Sequence, residues 1–277
     1  MPTSIDQAFI KQFESEVHEA YQRQGSKLRN TVRTVNNVKG ASTTFQKVGT
    51  GVAGTKTGAG GQVPVMNLDH TNVECILADY YAGDWIDKLE ELKINIDERQ
   101  IIANAGAYAL GRKTDQMIID QLDTVSTNVV AEDNTGLTLT KVLEGFEMLG
   151  DADVPDDGQR FAVVGWKQWS ELLQIDEFVS ADYVSPEQMP YKGITQMKQW
   201  LGTFWIPHSG LTVASDIRSC YWYHKTAIGH ASGADVSTDV TWHGDRASHF
   251  VNSMMSQGSK LIDGNAVVQI NCDETPD

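Results

Sequence analysis

Cysteine, proline and positive charge are all scarce in this chain. Its 277 residues include three Cys and seven Pro, and 22 Lys and Arg stand against 37 Asp and Glu, a formal charge of −15. Cys75, Cys220 and Cys272 are odd in number, far apart and without a C-x-x-C pairing. That argues against a disulfide framework or a structural zinc site, and for buried thiols in a reducing compartment. No apolar run approaches the roughly 18 residues of a membrane helix, so no membrane partner is expected. The start, Met1-Pro2-Thr3-Ser4-Ile5, does not lead into a basic stretch followed by an apolar one, and it does not read as a secretory signal. With so few Lys and Arg, most of the surface repels phosphate, which argues against sequence-specific nucleic-acid binding. Apolar content is not scarce. At 40% hydrophobic the chain is too apolar for intrinsic disorder, and its length suffices for one large core or two moderate ones.

The charge is unevenly spread. Residues 1–70 carry eight basic and five acidic side chains, net +3, and the remaining 207 residues carry 14 and 32, net −18. A basic first quarter on an acidic body suits an arm that lies on another copy's body. Arg23, Lys27, Arg29, Arg33 and Lys39 fit an acidic protein partner better than nucleic acid. From Ile5 to about Arg29, Phe9, Phe13, Val17 and Tyr21 recur every four positions, one face of an amphipathic helix that needs a surface to bury its stripe. From Val32 to Val38 the chain turns β-branched and polar, without a helical period.

Residues 43–68 are the most unusual stretch. Thr43 to Val48 reads as a strand, Gly49 to Gly61 has six glycines in thirteen residues, and Gln62 to Leu68 reads as a returning strand in which Pro64 suits an edge. The pattern predicts a long two-stranded projection with a flexible tip. Such a ribbon is marginal in water, and Phe45, Val65 and Leu68 cannot build a core alone, so it is expected to find its partner outside its own domain. After Trp85 a long helix is predicted from about Asp97 to Asp123, with Ile101, Ala105, Tyr108, Ala109 and Arg112 on one face. Roughly 27 residues at about 1.5 Å each span about 40 Å. Gly106 and Gly111 weaken that helix by roughly 1 kcal/mol each unless close packing requires them.

A helix over Thr140–Leu149, a buried strand Phe161–Val164 and a helix over Trp166–Gln174 then imply a compact α/β layer. From Leu211 onward the pattern is mainly β: 211–214, 220–224, 236–242, 247–254 and 266–270. Six of the seven Trp follow Gly165, and core packing is their expected role.

Several apparent sites lack the context that their chemistry requires. Gly49-Thr-Gly51-Val-Ala-Gly54 matches G-x-G-x-x-G, but the glycine-rich residues that follow cannot start the helix whose amides would hold a pyrophosphate. Lys56-Thr57 is one residue out of register for a phosphate loop. Asp151, Asp153, Asp156 and Asp157 resemble a calcium loop, yet Pro155 and Asp156 stand at its fifth and sixth positions, which need an acidic or amide ligand and a glycine. His224/His230 and His243/His249 have no metal-ligand spacing, and no G-x-S-x-G elbow is present. No enzyme, cofactor or metal is expected.

The order of parts carries more: amphipathic arm, glycine-tipped hairpin, very long helix, compact α/β domain, C-terminal strands. With Asp87-Lys88-Leu89, and with Ala105-Gly106-Ala107-Tyr108-Ala109-Leu110-Gly111-Arg112-Lys113-Thr114-Asp115 followed by Ile118-Ile119, the chain resembles the major capsid proteins of tailed bacteriophages with the Hong Kong 97-type fold. The resemblance implies an α+β fold with an N-arm (1–34), an extended loop (35–75), a peripheral domain with a spine helix (76–130, plus strands from about 231–258) and an axial domain (131–230, plus about 259–277). It implies hexamers and pentamers that form an icosahedral shell around double-stranded DNA without sequence-specific binding, assembled in the host cytoplasm and ending in the virion. A separate scaffolding protein is expected, because the chain leaves no room for one ahead of the arm, together with a portal and a possible decoration protein. Contact candidates between subunits are Phe9, Phe13, Arg29, Arg33, Phe45, Lys47, Lys56, Val65, Leu68, Arg112 and Asp115. Lys47 and Lys56 are available for the covalent crosslinks that some members form, though nothing around them requires one. The rival readings are an encapsulin-like nanocompartment shell and an acidic α/β enzyme using the Gly49–Gly61 tract as a ligand loop.

Overall fold

The computed structural model describes residues 25–91, 98–179 and 198–275; Phe9, Phe13 and the helix expected around them lie outside these. After a 3-10 turn at Arg29–Thr31 come β1 (Arg33–Val35), β2 (Ser42–Val48), β3 (His70–Ile76), β4 (Ala78–Asp87), α1 (Lys88–Glu91) and α2 (Glu98–Leu122). Next are β5 (Val129–Val130), α3 (Leu139–Asp151), β6 (Arg160–Val164), α4 (Trp166–Leu172), α5 (Asp176–Val179), β7 (Lys198–Trp200) and β8 (Thr203–Pro207). The chain ends with β9 (Val213–Ala214), β10 (Ile217–His224), β11 (Ile228–His243), β12 (Ser248–Leu261) and β13 (Val267–Asp273). It divides into two units. Among the described residues, the larger takes those within Ser26–Ala78, Lys113–Ala234 and Ser256–Asp277, and the smaller those within Asp79–Arg112 and Asp235–Met255, with Gly25.

The larger unit is built on a sheet in the order β5-β13-β10-β6-β8-β7, with β9 beside β10. β10 is central because its sequence is apolar on both faces: from Cys220 to His224 every residue is buried, as a strand covered on both sides must be. It runs antiparallel to β13 and β6, with Cys220 opposite Ile270 and Tyr221 opposite Val163. β6 and β8 are parallel, and the chain between them passes through α4 and α5, the kind of crossover a parallel pair needs. Thr138 caps α3 through its hydroxyl. Gly145 lets α3 approach the sheet, since a Cβ there would already lie 3.3 Å from Ile270 and 3.5 Å from Trp222. A relay of rings, Trp169–Phe178–Trp200–Trp205–Trp222, joins the layers at centroid spacings of 5.2–5.8 Å. Pairs at such spacings contribute about 0.5–1.5 kcal/mol each beyond their buried area. Core packing thus describes Trp169, Trp205 and Trp222. It does not describe Trp166 and Trp242, which stay 51% and 48% exposed, one at the start of α4 and one near the tip of the β11–β12 hairpin.

The smaller unit takes the first part of α2, most of β4 and the distal parts of β11 and β12, strands that belong to a sheet ordered β1-β11-β12-β4. Of the two readings that the sequence left for Gly106 and Gly111, a weakened helix or close packing, the distances favour close packing. A Cβ at Gly106 would sit 2.8 Å from Ser253 Oγ, and one at Gly111 would sit 2.7 Å from the Gly25 backbone. The expected helix face differs, however. Ile101, Ala105, Tyr108, Ala109 and Arg112 are half-buried, whereas Leu110, Thr114, Asp115, Ile118, Ile119 and Leu122 are fully buried. The buried side mixes Leu110, Ile118, Ile119 and Leu122 with Gly106, Gly111, Thr114 and Asp115, so it is a different face from the one that Ile101, Tyr108 and Arg112 mark.

The hairpin also differs from expectation. The returning strand is His70–Ile76, not Gln62–Leu68, and it pairs antiparallel with β2 from Ser42 opposite Ile76 to Val48 opposite His70. Pro64 and the neighbouring glycines deny the earlier segment a ladder, while β3 turns Cys75 inward beside Phe45.

Candidate inter-subunit surface

The projection is rooted by three contacts within its own unit. Phe45 is 1% exposed, packed with Cys75 and Ala231, and Gly229 has no Cβ because the Phe45 ring fills that space at 2.5 Å. The Arg33 guanidinium lies 5.5 Å over the same ring. Lys47 Nζ pairs with Asp263 Oδ1 at 2.8 Å. Phe45, expected among the contacts to a neighbour, is therefore consumed at the hairpin's own base, seated with Cys75 of the returning strand and Ala231.

Beyond Val48 the limbs continue without a ladder. Gly49 N donates to Asp69 O at 2.8 Å, closing the base. Further out Gly51 faces Met66 and Gly54 faces Pro64, each so near that a Cβ would overlap. No helix follows Gly54, so the tract lacks the strand-turn-helix setting of a nucleotide loop. Among the described residues little covers the limbs: Val63 is 73% and Val65 82% exposed, with Val52, Met66, Leu68 and Lys56 exposed as well. Large apolar side chains left this open mark an interaction site.

Asp115 belongs elsewhere. It is 0% exposed, which no neighbour can reach, and it clamps the chain where the described residues begin. Its Oδ1 accepts from Ser26 Oγ at 2.5 Å and from Leu28 N at 3.0 Å, Lys27 N bridges both oxygens at 3.1 and 3.2 Å, and Oδ2 lies 3.1 Å from His208 Nε2. Burial pushes its pKa up, but hydrogen bonds from His208, Ser26, Leu28 and Lys27 outweigh that and hold the carboxyl below its usual 3.8. Of the other candidates, Arg29 is half-buried with Nη2 3.3 Å from Asn36 Oδ1, Arg33 is exposed, and Arg112 is half-buried on α2. The structure thus brings Val65, Leu68 and Lys56 together on one exposed loop, and separates them from the buried Phe45 and Asp115.

Two features escaped the sequence. One is an aromatic group in the smaller unit, where Trp85 stands 4.5 Å from Phe250 and 5.0 Å from His243, with the Arg246 guanidinium 4.4 Å over its ring. The other is the outer edge of β11. Its pairing with β1 covers Gly229–Ala231 and Val38 N bonds to Ser232 O; farther along, no described strand pairs with that edge. The run of exposed residues over 234–242 contains Val236, Val240 and Trp242, whose alternation was the available signal.

Among the described residues no group of His, Cys, Asp and Glu gathers as a metal-ligand set, and no helix is long and apolar enough to cross a membrane. A family model described as phage capsid protein matches residues 5–274. No curated protein matches the chain. Among solved structures, that of Mycobacterium phage Che8 superposes with a TM-score of 0.72 at 19% identity, over 94% of this chain and 96% of that one. The capsid of cyanophage P-SCSP1u gives 0.74 at 16%, over 99% and 96%. The capsid asymmetric unit of cyanophage Pam1 gives 0.74 at 15%, over 98% of both chains. Similarity of this kind establishes the fold, a Hong Kong 97-like capsid fold, and leaves surface chemistry to the chain's own residues.

Proposed function

The chain belongs to the phage capsid protein family, a major capsid protein that forms the shell of a virion, and from that premise we propose that its copies associate as hexamers and pentamers in an icosahedral shell around double-stranded DNA. The protein is structural rather than catalytic, and its first partner is itself. Residues 1–34 serve as the arm, 35–75 as the extended loop, 76–130 with about 231–258 as the peripheral domain, and 131–230 with about 259–277 as the axial domain. The grouping of Asp79–Arg112 with Asp235–Met255 supports the pairing of those two stretches in a peripheral domain, while Lys113–Val130 groups with the larger unit. A separate scaffolding protein and a portal complete assembly in the host cytoplasm, a decoration protein can be added, and DNA is enclosed without sequence-specific contact.

The observation that carries the reading is the loop sealed at its base and uncovered beyond it. Apolar side chains that no described part of their own chain buries gain contact by lying on a neighbour, and closed symmetry repeats that modest gain around every ring. Because Gly49 N and Asp69 O already meet at 2.8 Å, residues 50–68 can be replaced by a two-residue turn without disturbing β2 or β3. The shortened protein is expected to melt like the parent and to form no shells by electron microscopy. Normal shells from it would refute the role of the loop.

A further inference from the structure

β10 and β13 each carry a cysteine into the core of the larger unit. We propose that Cys220 and Cys272 form a redox-sensitive pair, free thiols inside the host cell and joined by oxidation outside it into a disulfide that staples β13 to β10. The chemistry needs only this chain, while its timing rests on the capsid reading.

Three observations lead there. First, the register puts both side chains on one face. Arg218 stands opposite Cys272 and Cys220 opposite Ile270, so the cysteines are diagonal partners. Ile270 and Trp222 point at α3, where a Cβ on Gly145 would meet them, and alternate residues of a strand share a face. Cys220 and Cys272 therefore lie beneath α3 as well.

Second, the two sulfurs touch. Diagonal partners in a flat sheet stand about 7–8 Å apart, too far for a disulfide. The right-handed twist of a sheet shortens one diagonal and lengthens the other. A hydrogen bond between the Cys272 and Cys220 thiols marks theirs as the short one. Side-chain rotation then has only to bring sulfurs already in contact to a bond of about 2.05 Å. Cys75 has no such neighbour in its cluster, where it packs with Phe45 and Ala231.

Third, a buried cation stands beside the pair. Lys141 is 3% exposed, and its Nζ donates to Thr135 O at 2.8 Å, to Asn271 O at 2.9 Å and to Glu132 O. Asn271 immediately precedes Cys272. A thiol reacts as its thiolate, which a nearby ammonium favours. The bond to Cys220 and burial push the Cys272 thiol up, and Lys141 pulls it back. With both sulfurs enclosed, at 1% and 0% exposure, large disulfide reagents are shut out and reaction with a small neutral oxidant is slow.

That oxidant is hydrogen peroxide. One sulfur attacks a peroxide oxygen and becomes a sulfenic acid as the first water leaves. The other sulfur attacks the sulfenic sulfur and expels its hydroxyl, which takes up the second thiol proton, as another water. Two S–H bonds and the O–O bond break, one S–S bond and two O–H bonds form, and the two electrons lost by sulfur reduce the peroxide. Because β13 lies between β5 and β10, the staple fastens the last strand of the chain into the middle of its sheet.

The test needs no shells. Full-length protein purified in reductant is desalted and divided, and one half receives dilute peroxide. The treated half is expected to lose about 2 Da and to yield a peptide linking Cys220 to Cys272 in a non-reducing digest. Closing a loop of about 50 residues should raise its melting temperature by about 5 °C or more. Cys75→Ala should keep all three changes and Cys272→Ala should show none; if Cys272→Ala does not fold, the linked-peptide map of the parent decides. Thiols that stay free, sulfinic acid in place of the link, or a link through Cys75 would overturn the pairing. A link without a rise in melting temperature would overturn the staple. The timing has its own arm. Infected cells are quenched in acid and their thiols alkylated on unfolding, and released particles are treated alike after peroxide. Free thiols in the first sample and the link in the second support the timing, whereas a link already present inside the cell overturns it. Particles that lack this chain would overturn the capsid reading instead, and leave the chemistry standing.

Discussion

Asp115 shows how one side chain can set where an arm leaves a fold. Its carboxylate collects two backbone amides, a hydroxyl and an imidazole at zero exposure, so truncation strands several buried donors at once. Asp115→Ala is expected to cost about 3 kcal/mol or more, seen as a large fall in melting temperature. The acid response follows from the direction of its pKa. A carboxyl held below 3.8 in the fold adds stability that is full above its unfolded pKa and lost as pH falls through the lower folded value. The parent should therefore lose part of its stability below about pH 4. Asp115→Asn, which keeps one acceptor and cannot titrate there, should start less stable and show a shallower loss over that window in acid melts. None of this was legible in the sequence, where Asp115 stood out only as part of a motif. The groups that make it a clamp lie about ninety positions away in either direction, at Ser26 and at His208.

Among the elements, what the sequence revealed depended on how far apart the determining residues lie. β2, β6 and α3 were readable from local alternation or period. The returning strand was misplaced because Val63, Val65 and Leu68 look more strand-like than His70–Ile76, and only the cross-strand seat beside Phe45 decides between them. The buried side of α2 was misjudged because the face read from Ile101, Ala105, Tyr108, Ala109 and Arg112 left out Gly106 and Gly111, whose close approach to Ser253 and Gly25 marks the side that packs. That gives a paired prediction. Gly106→Val, against Ser253 and the Ala82 carbonyl, should destabilise by about 2–3 kcal/mol through overpacking. Gly150→Ala, at a helical position with nothing within 4 Å, should stabilise by up to about 1 kcal/mol. Thermal melts of the two variants check both signs, and equal signs would show that the helices are read wrongly. The open edge of β11 had no local signature beyond its alternation, since an edge is a property of sheet order.

For the whole molecule the relevant quantity is the charge that copies bring to one another. A chain at −15, with its positive excess confined to residues 1–70, must overcome repulsion between bodies before arms and loops can engage. Screening falls to a Debye length of about 8 Å at physiological ionic strength, so assembly should speed up with moderate salt or divalent ions. Light scattering that declined steadily from low ionic strength upward would contradict this. The same acidic excess suits an inner wall that does not hold packaged DNA, and a basic lining would rule that out.

The sealed base of the loop has a consequence for inheritance. Since Gly49 and Asp69 meet regardless of what lies between them, insertions, deletions and substitutions in the intervening residues leave the subunit's own folding nearly untouched. Selection then reaches this segment only through another copy. Its changes should be answered by compensating changes on the surface of another copy that it meets, a covariation between stretches that need never touch within one molecule.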